Sequence, residues 1–227
     1  MDNDDIEKRA RELQIQIWEE RKNLWPEKQP KLLAMLDPEI AAKVLGIDFD
    51  KYEELGRFGD GQSRYEVAGM IDRQSRKIAV SRRFTLEIVR FTGAHEIGHW
   101  LLHDDEIMHR DRPINGLEYG KPRPRKEREA DHFAACFLMP RKVVKDEFES
   151  TFGASPLCFD DNVAFRLCPS DPDSLLRPYD GSMERALVVA NAEHYGGRGH
   201  FNSLAKRFGV STKSMAIRIK ELGLIQV

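Results

Sequence analysis

The stretch Thr92-Gly93-Ala94-His95-Glu96-Ile97-Gly98-His99-Trp100-Leu101-Leu102-His103 constrains the fold of this chain more than any other. It holds a single H-E-x-x-H. In an α-helix, residues four apart lie one turn above each other on the same face. His95 and His99 can therefore aim two imidazole nitrogens at one metal ion. Glu96, beside the first of them, is placed to take a proton from water held by that ion. The chemistry needs a helix, and the residues predict one. No proline interrupts Phe84 to His103, and Ile88, Phe91, Gly98, Leu101 and Leu102 form an apolar stripe. His103 extends the histidine face, but positions eight apart stand about 12 Å from each other along the axis. It reads as a hydrogen-bonded neighbour, not a ligand.

A hydrolytic zinc site takes three protein ligands and keeps its fourth position open for water. The third is expected from Glu127-Arg128-Glu129-Ala130-Asp131-His132-Phe133-Ala134-Ala135-Cys136-Phe137-Leu138-Met139-Pro140. Here Ala130, Phe133, Ala134, Phe137 and Leu138 follow helical spacing, so one face packs inward. Glu127 lies at the edge of that face and is the candidate ligand. Asp131, one turn on, is placed to accept the second ring N–H of a ligand histidine, a contact that orients metal-bound imidazoles. Glu129 is rotated away from Glu127 and is the alternative third ligand. His132 reads as structural.

The remaining 227-residue chain sets the frame. This length predicts one domain, or one domain with an appendage. A net charge of -2 excludes wholesale coating of nucleic acid and leaves only local basic patches. Cys136, Cys158 and Cys168 are odd in number and lack metal-site spacing, which suits a reducing cytosol better than a disulfide framework. The acidic start Met1-Asp2-Asn3-Asp4-Asp5 is unlike a secretory signal, and no apolar run reaches membrane-spanning length. A cytoplasmic protein is expected.

Asp5 to about Leu24 reads as an amphipathic helix on Ile6, Ala10, Leu13, Ile17 and Leu24, ended by Pro26 and Pro30, with Trp18 and Trp25 as packing residues. Asp37-Pro38-Glu39 reads as a cap opening a short helix that stops at Gly46. From Arg64 to Ser81 the period changes to two, through Tyr65, Val67, Gly69 and Ile71 and then Ile78 to Ser81. That predicts a hairpin or two adjacent strands. Thr85 is the expected cap of the histidine helix.

Asp104 to Lys126 reads as a charged loop with Asn115-Gly116, Tyr119-Gly120 and the basic run Lys121-Pro122-Arg123-Pro124-Arg125-Lys126. Arg141 to Phe152 predicts a helix. Cys158 to Tyr179, broken by prolines, predicts an irregular insertion, and helix resumes from Ser182 to Tyr195. The expected division is a catalytic domain at 1–150, an insertion at 151–181 and a helical segment at 182–227.

The tail Phe201 to Ile225 reads as helix, tight turn at Gly209, Ser211 cap, helix: a helix-turn-helix pattern. Lys206, Arg207, Lys213, Arg218 and Lys220 make it locally basic, as phosphate contact requires. Its second helix offers few base-reading side chains beyond Thr212 and Lys213. DNA binding through 201–225 is therefore open but not favoured over a packing role.

The block His95-Glu96-Ile97-Gly98-His99-Trp100-Leu101-Leu102-His103, then Glu127-x-x-Ala130-Asp131-x-Phe133-Ala134-x-x-x-Leu138-Met139-Pro140, then the tail from Leu204 to Ile225, resembles the ImmA/IrrE family of zinc metallopeptidases. The resemblance covers about Val67 to Pro140 and Gly196 to Ile225, with the three blocks in the family's order. The stretch from Ser150 to about Arg198 carries no recognisable motif and leaves the substrate, not the chemistry, open.

The resemblance implies zinc held by His95, His99 and Glu127, with Glu96 as catalytic base. It also implies a substrate-pairing edge strand at Lys77–Arg82, and a repressor-type transcription regulator as target, controlling a stress or mobile-element response. The expected fold is α+β: a zincin-like metallopeptidase domain with a small sheet and active-site helices, plus the helix-turn-helix-like segment. The expected activity is zinc-dependent endopeptidase cleavage of a cytosolic repressor or antitoxin. The alternative is a DNA- or protein-binding regulator with a structural or vestigial zinc site. Tyr119, His109 and His194 are unranked candidates for the oxyanion donor.

Overall fold

The structure, a computed structural model, describes residues 1–59, 65–104, 108–111 (backbone only), 123–177, 182–197 and 199–226. It is a mixed α+β chain with small sheets and many helices, in two units, Met1–Leu138 and Met139–Val227. Arg141–Phe152 lies in the second unit.

In the first unit, the Asp2 carboxylate accepts from Asp5 N and opens α1 (Asn3–Glu19), which buries Ile6, Ala10, Leu13 and Ile17 at helical spacing. The helix is shorter than its periodicity suggested, and Arg21–Leu24 forms a separate turn, α2. Trp18 is 46% exposed, and its ring packs under the Arg21 guanidinium at 4.2 Å instead of in the core. After α3 (Leu32–Met35), Asp37 Oδ1 accepts from Glu39 N at 2.9 Å and caps α4 (Pro38–Val44) as the sequence predicted.

The strands are β1 (Asp48–Tyr52), β2 (Arg57–Phe58), β3 (Tyr65–Glu66), β4 (Gly69–Asp72) and β5 (Lys77–Ser81). Then come α5 (Leu86–Leu102), β6 (Met108–Asp111) and α6 (Arg125–Leu138). β4 and β5 form the predicted hairpin, while β2 and β3 make a separate two-stranded sheet. The main sheet runs β1-β5-β4-β6, with β1 parallel to β5 and the other pairs antiparallel. This corrects the expected edge strand. β5 is interior, and Ile78 to Ser81 are buried in succession, as a strand covered on both faces requires. Among the described residues the edges are β1 and β6.

α5 also departs from its expected apolar stripe. Thr92 to His99 are buried around the whole circumference, whereas Ile88, Phe91, Leu101 and Leu102 are only half-buried. The cause is its position, packed by β4, β5, α4 and α6. Thr85 sits at the cap position but its side chain makes no capping bond. Arg73, in the β4–β5 turn, donates to the carbonyls of His99 at 2.8 Å and Trp100 at 3.0 Å and also to that of His103. A cation thus satisfies the carbonyls at the helix C-terminus.

The second unit contains α7 (Arg141–Phe152), α8 (Asp161–Leu167), α9 (Asp173–Leu176), α10 (Ser182–Asn191), α11 (Leu204–Phe208) and α12 (Thr212–Glu221). α8 and α9 replace the irregular insertion expected there. Each is too short for a periodicity to show, though Asp160 caps α8 by accepting from Val163 N at 2.8 Å. Gly209, left-handed at φ 60°, separates α11 from α12, and Ser211 Oγ accepts from Ser214 N at 3.1 Å. No helix among the described residues is long and apolar enough to cross a membrane.

Candidate metal centre

The site is built where α5 crosses α6. A Cβ added at Gly98 would stand 3.1 Å from Phe133 Cδ1 and 3.2 Å from Ala130 Cα and O, so the two helices approach at close to backbone contact. One turn before Gly98 and one residue after it lie His95 and His99 respectively in the register that faces α6. Their Nε2 atoms are 3.0 Å apart. From α6, Glu127 places Oε2 3.5 Å from His95 Nε2 and Oε1 3.4 Å from His99 Nε2. The three predicted ligand residues are thus brought together, with one ligand atom from each lying within 4.8 Å of the others.

These distances test whether the residues suit zinc. Four ligands at about 2.0–2.1 Å from a tetrahedral ion stand about 3.3–3.4 Å from one another. The two Nε2 atoms, 3.0 Å apart, come close to such an edge, and the Glu127 carboxylate straddles the pair, with Oε2 3.5 Å from His95 Nε2 and Oε1 3.4 Å from His99 Nε2. Two imidazoles and one carboxylate are also an appropriate donor set. The residues fit the ion.

Around the triad, Asp131 Oδ1 lies 2.9 Å from His95 Nδ1, in contact but not aligned as a linear hydrogen bond. Arg123 holds the other Asp131 oxygen and lies 3.5 Å from Glu127 Oε2. Arg123 is the part of the basic run that reaches the site. Asn115-Gly116, Tyr119 and Lys121 lie outside the described residues.

Glu129 is not brought to the triad. Its Oε2 lies 3.0 Å from His103 Nε2, and its Oε1 accepts from Arg125 at 2.9 Å and from the Met1 amine at 2.7 Å. Burial alone would raise this carboxyl, but those hydrogen bonds overcome it and hold the group down at about 2. His103 is the hydrogen-bonded neighbour its spacing predicted, with Nδ1 3.0 Å from His99 Nδ1. His132 meets Cys136 Sγ at 3.6 Å.

Glu96 is fully buried beside the triad. Space for it comes from Gly69 of β4: a Cβ there would stand 2.1 Å from Glu96 Oε1. Sequence reading placed Gly69 in a strand without a role. The signal was present, since glycine inside a strand pattern marks a close approach by another group. Of the proposed oxyanion donors, Tyr119 lies outside the described residues. His109 is described only as backbone, paired with Ile71. His194 is in the second unit, exposed beside Arg166 and Gly196.

Residues 43–153 match the family model of peptidase family M78, described as the IrrE N-terminal-like domain. The matched span runs from the end of α4 to Gly153 and includes both ligand-bearing helices. No curated protein matches the chain.

Proposed function

We propose that this chain, which carries at residues 43–153 the IrrE N-terminal-like domain of peptidase family M78, is a zinc-dependent endopeptidase with a zincin-type site. The observation that carries the reading is the meeting of His95 Nε2, His99 Nε2 and the Glu127 carboxylate at 3.0–3.5 Å, with Glu96 buried next to them. Those three residues would hold zinc. When bound, the ion polarises the scissile carbonyl and acidifies the attacking water.

The chain's own groups do the rest. Glu96 accepts a proton as the water oxygen bonds to the carbonyl carbon, then delivers it to the amine nitrogen as the C–N bond breaks. Asp131 steadies the His95 ring. β6, an edge of the sheet among the described residues, offers backbone groups to which an extended substrate can add as a strand. It replaces the interior β5 in that role. A site built only to hold zinc has no use for a buried glutamate beside its ligands and closes its fourth position. That favours the peptidase over a regulator with a structural ion.

The target we infer is a cytoplasmic repressor-type regulator or antitoxin, in control of a stress or mobile-element response. It is supported by the resemblance of the histidine, Glu127 and tail blocks to the ImmA/IrrE peptidases.

Elemental analysis of the wild type beside Glu127→Ala and Glu96→Gln tests the site. About one zinc per chain is expected in the wild type and in Glu96→Gln, and loss of it in Glu127→Ala. New peptide N-termini appearing in a cell extract with the wild type should disappear with Glu96→Gln, a loss of about 10²–10⁴-fold for removal of a general base. A wild type that takes up no zinc sinks the reading. Zinc kept by Glu127→Ala moves the third-ligand role elsewhere.

A further inference from the structure

His99 touches two different environments through its two ring nitrogens. Nε2 faces His95 and Glu127 in the triad. Nδ1 lies 3.0 Å from His103 Nδ1, and the far nitrogen of that second ring, His103 Nε2, lies 3.0 Å from Glu129 Oε2. Two imidazole nitrogens at this distance either face a common cation, as the two Nε2 atoms of the triad would, or share one proton; His99 Nδ1 and His103 Nδ1 lie on the side of the ring away from the triad and share a proton. A neutral imidazole carries one N–H and one lone pair, while a carboxylate only accepts. Glu129 therefore draws the His103 proton to Nε2 and leaves His103 Nδ1 as an acceptor. His99 must then be the Nδ1–H form, donating to His103, with its lone pair on Nε2. For neutral rings no other placement of the protons satisfies both contacts.

We propose that His103 and Glu129 are positioning residues of the metal centre, a relay that sets the tautomer and ring plane of His99 so that its Nε2 lone pair faces the ion. The relay does for His99 what Asp131 does for His95. Its ends are fixed by separate elements. His103 is the residue that closes α5: its N–H donates to His99 O at 3.1 Å, and its carbonyl accepts from Arg73 of the β4–β5 turn. Glu129 is held by Arg125 one turn earlier on α6. Both ligand histidines of α5 are thereby oriented from α6, the helix that also carries Glu127.

The inference rests on the zinc reading above, and its test separates the two. Zinc affinity of the full chain is measured by competition with a chromophoric chelator for the wild type, His103→Phe and His103→Gln. The Tm of each metal-free protein is recorded alongside. Phe keeps a ring but accepts nothing; Gln presents a carbonyl that can accept from His99 Nδ1. The expected result is a zinc Kd raised about 10–100-fold in His103→Phe. The Gln variant should recover to within a few-fold of wild type, and the two variants should share the same metal-free Tm.

A role in packing alone would move the metal-free Tm and would not distinguish the variants by affinity. Wild-type affinity in His103→Phe, or equal losses in Phe and Gln, overturns the relay and leaves the zinc site standing. A wild type without zinc affinity overturns both. Should His103→Phe not fold, Glu129→Ala against Glu129→Gln is read in the same way, with loss expected in the first and retention in the second.

Discussion

A methyl group built at Gly69 would stand 2.1 Å from Glu96 Oε1 and 2.7 Å from Thr92 Cγ2, so even the smallest side chain cannot enter unless both contacts are relieved. The two differ in how they can yield. Thr92 is β-branched, buried, and held on the most enclosed stretch of α5. The Glu96 carboxylate is the far end of a longer side chain and can swing by rotating its terminal torsions. Displacement therefore falls mainly on Glu96, the proposed base. Gly69→Ala should cost about 1–3 kcal/mol, the usual cost of overpacking, and should keep its zinc. Peptide cleavage should fall by about 10²-fold, since a misplacement of about 1 Å has that effect on a reacting group. Elemental analysis, thermal melting and a cleavage assay on one preparation check this. Full activity in Gly69→Ala would show that Glu96 does not act from its present position.

At the scale of elements, the crossing of α5 over α6 depends on Gly98, where even a Cβ is tight against Phe133 and the Ala130 backbone. The neighbour here is backbone and a buried ring rather than a flexible tip, so the helices themselves must separate. Gly98→Val should lift α6, and Glu127 with it, away from the histidines. Tm and zinc affinity should then drop together, unlike the split expected at Gly69. Intact zinc affinity in a folded Gly98→Val chain would refute the dependence.

The same contrast explains what was legible in the sequence. His95, Glu96, His99 and Glu127 obey helical spacing on single elements, and helical spacing is visible in one chain. The cap at Asp37, the β4–β5 hairpin and the Gly209 turn are local in the same way. Gly69 beneath Glu96, Arg73 at the end of α5 and Glu129 on His103 arise only when elements far apart in sequence meet. The interior position of β5 was hidden because its neighbour β1 carries Asp48, Asp50 and Lys51 and lacks an apolar alternation, as suits a sheet edge.

Across the molecule, Lys206, Arg207, Arg218 and Lys220, four of the five tail residues that suggested DNA binding, are already engaged within the second unit. Arg207 donates to Glu147 Oε2 at 2.7 Å and Thr151 Oγ1 at 2.8 Å. Lys206 pairs with Glu193, and Lys220 donates to Ser182 Oγ at 2.7 Å. Arg218 is 1% exposed and donates to Met139 O at 3.2 Å and Glu221 Oε2 at 3.2 Å. Binding phosphate through these side chains would first break contacts that α11 and α12 use to pack. Each phosphate neutralised adds about 0.9 to the slope of log K against log salt on duplex DNA. A chain with net charge -2 and those four tail cations so engaged has little to contribute to that slope. The full chain, titrated into a fluorescent 30-base-pair duplex, is therefore expected to bind no tighter than about 10⁻⁴ M at physiological salt, the weak end of non-specific association. Binding at about 10⁻⁶ M or tighter, with a slope of about -3 or steeper, would require those contacts to open and would return the tail to the DNA-reading role its helix, turn and helix suggest.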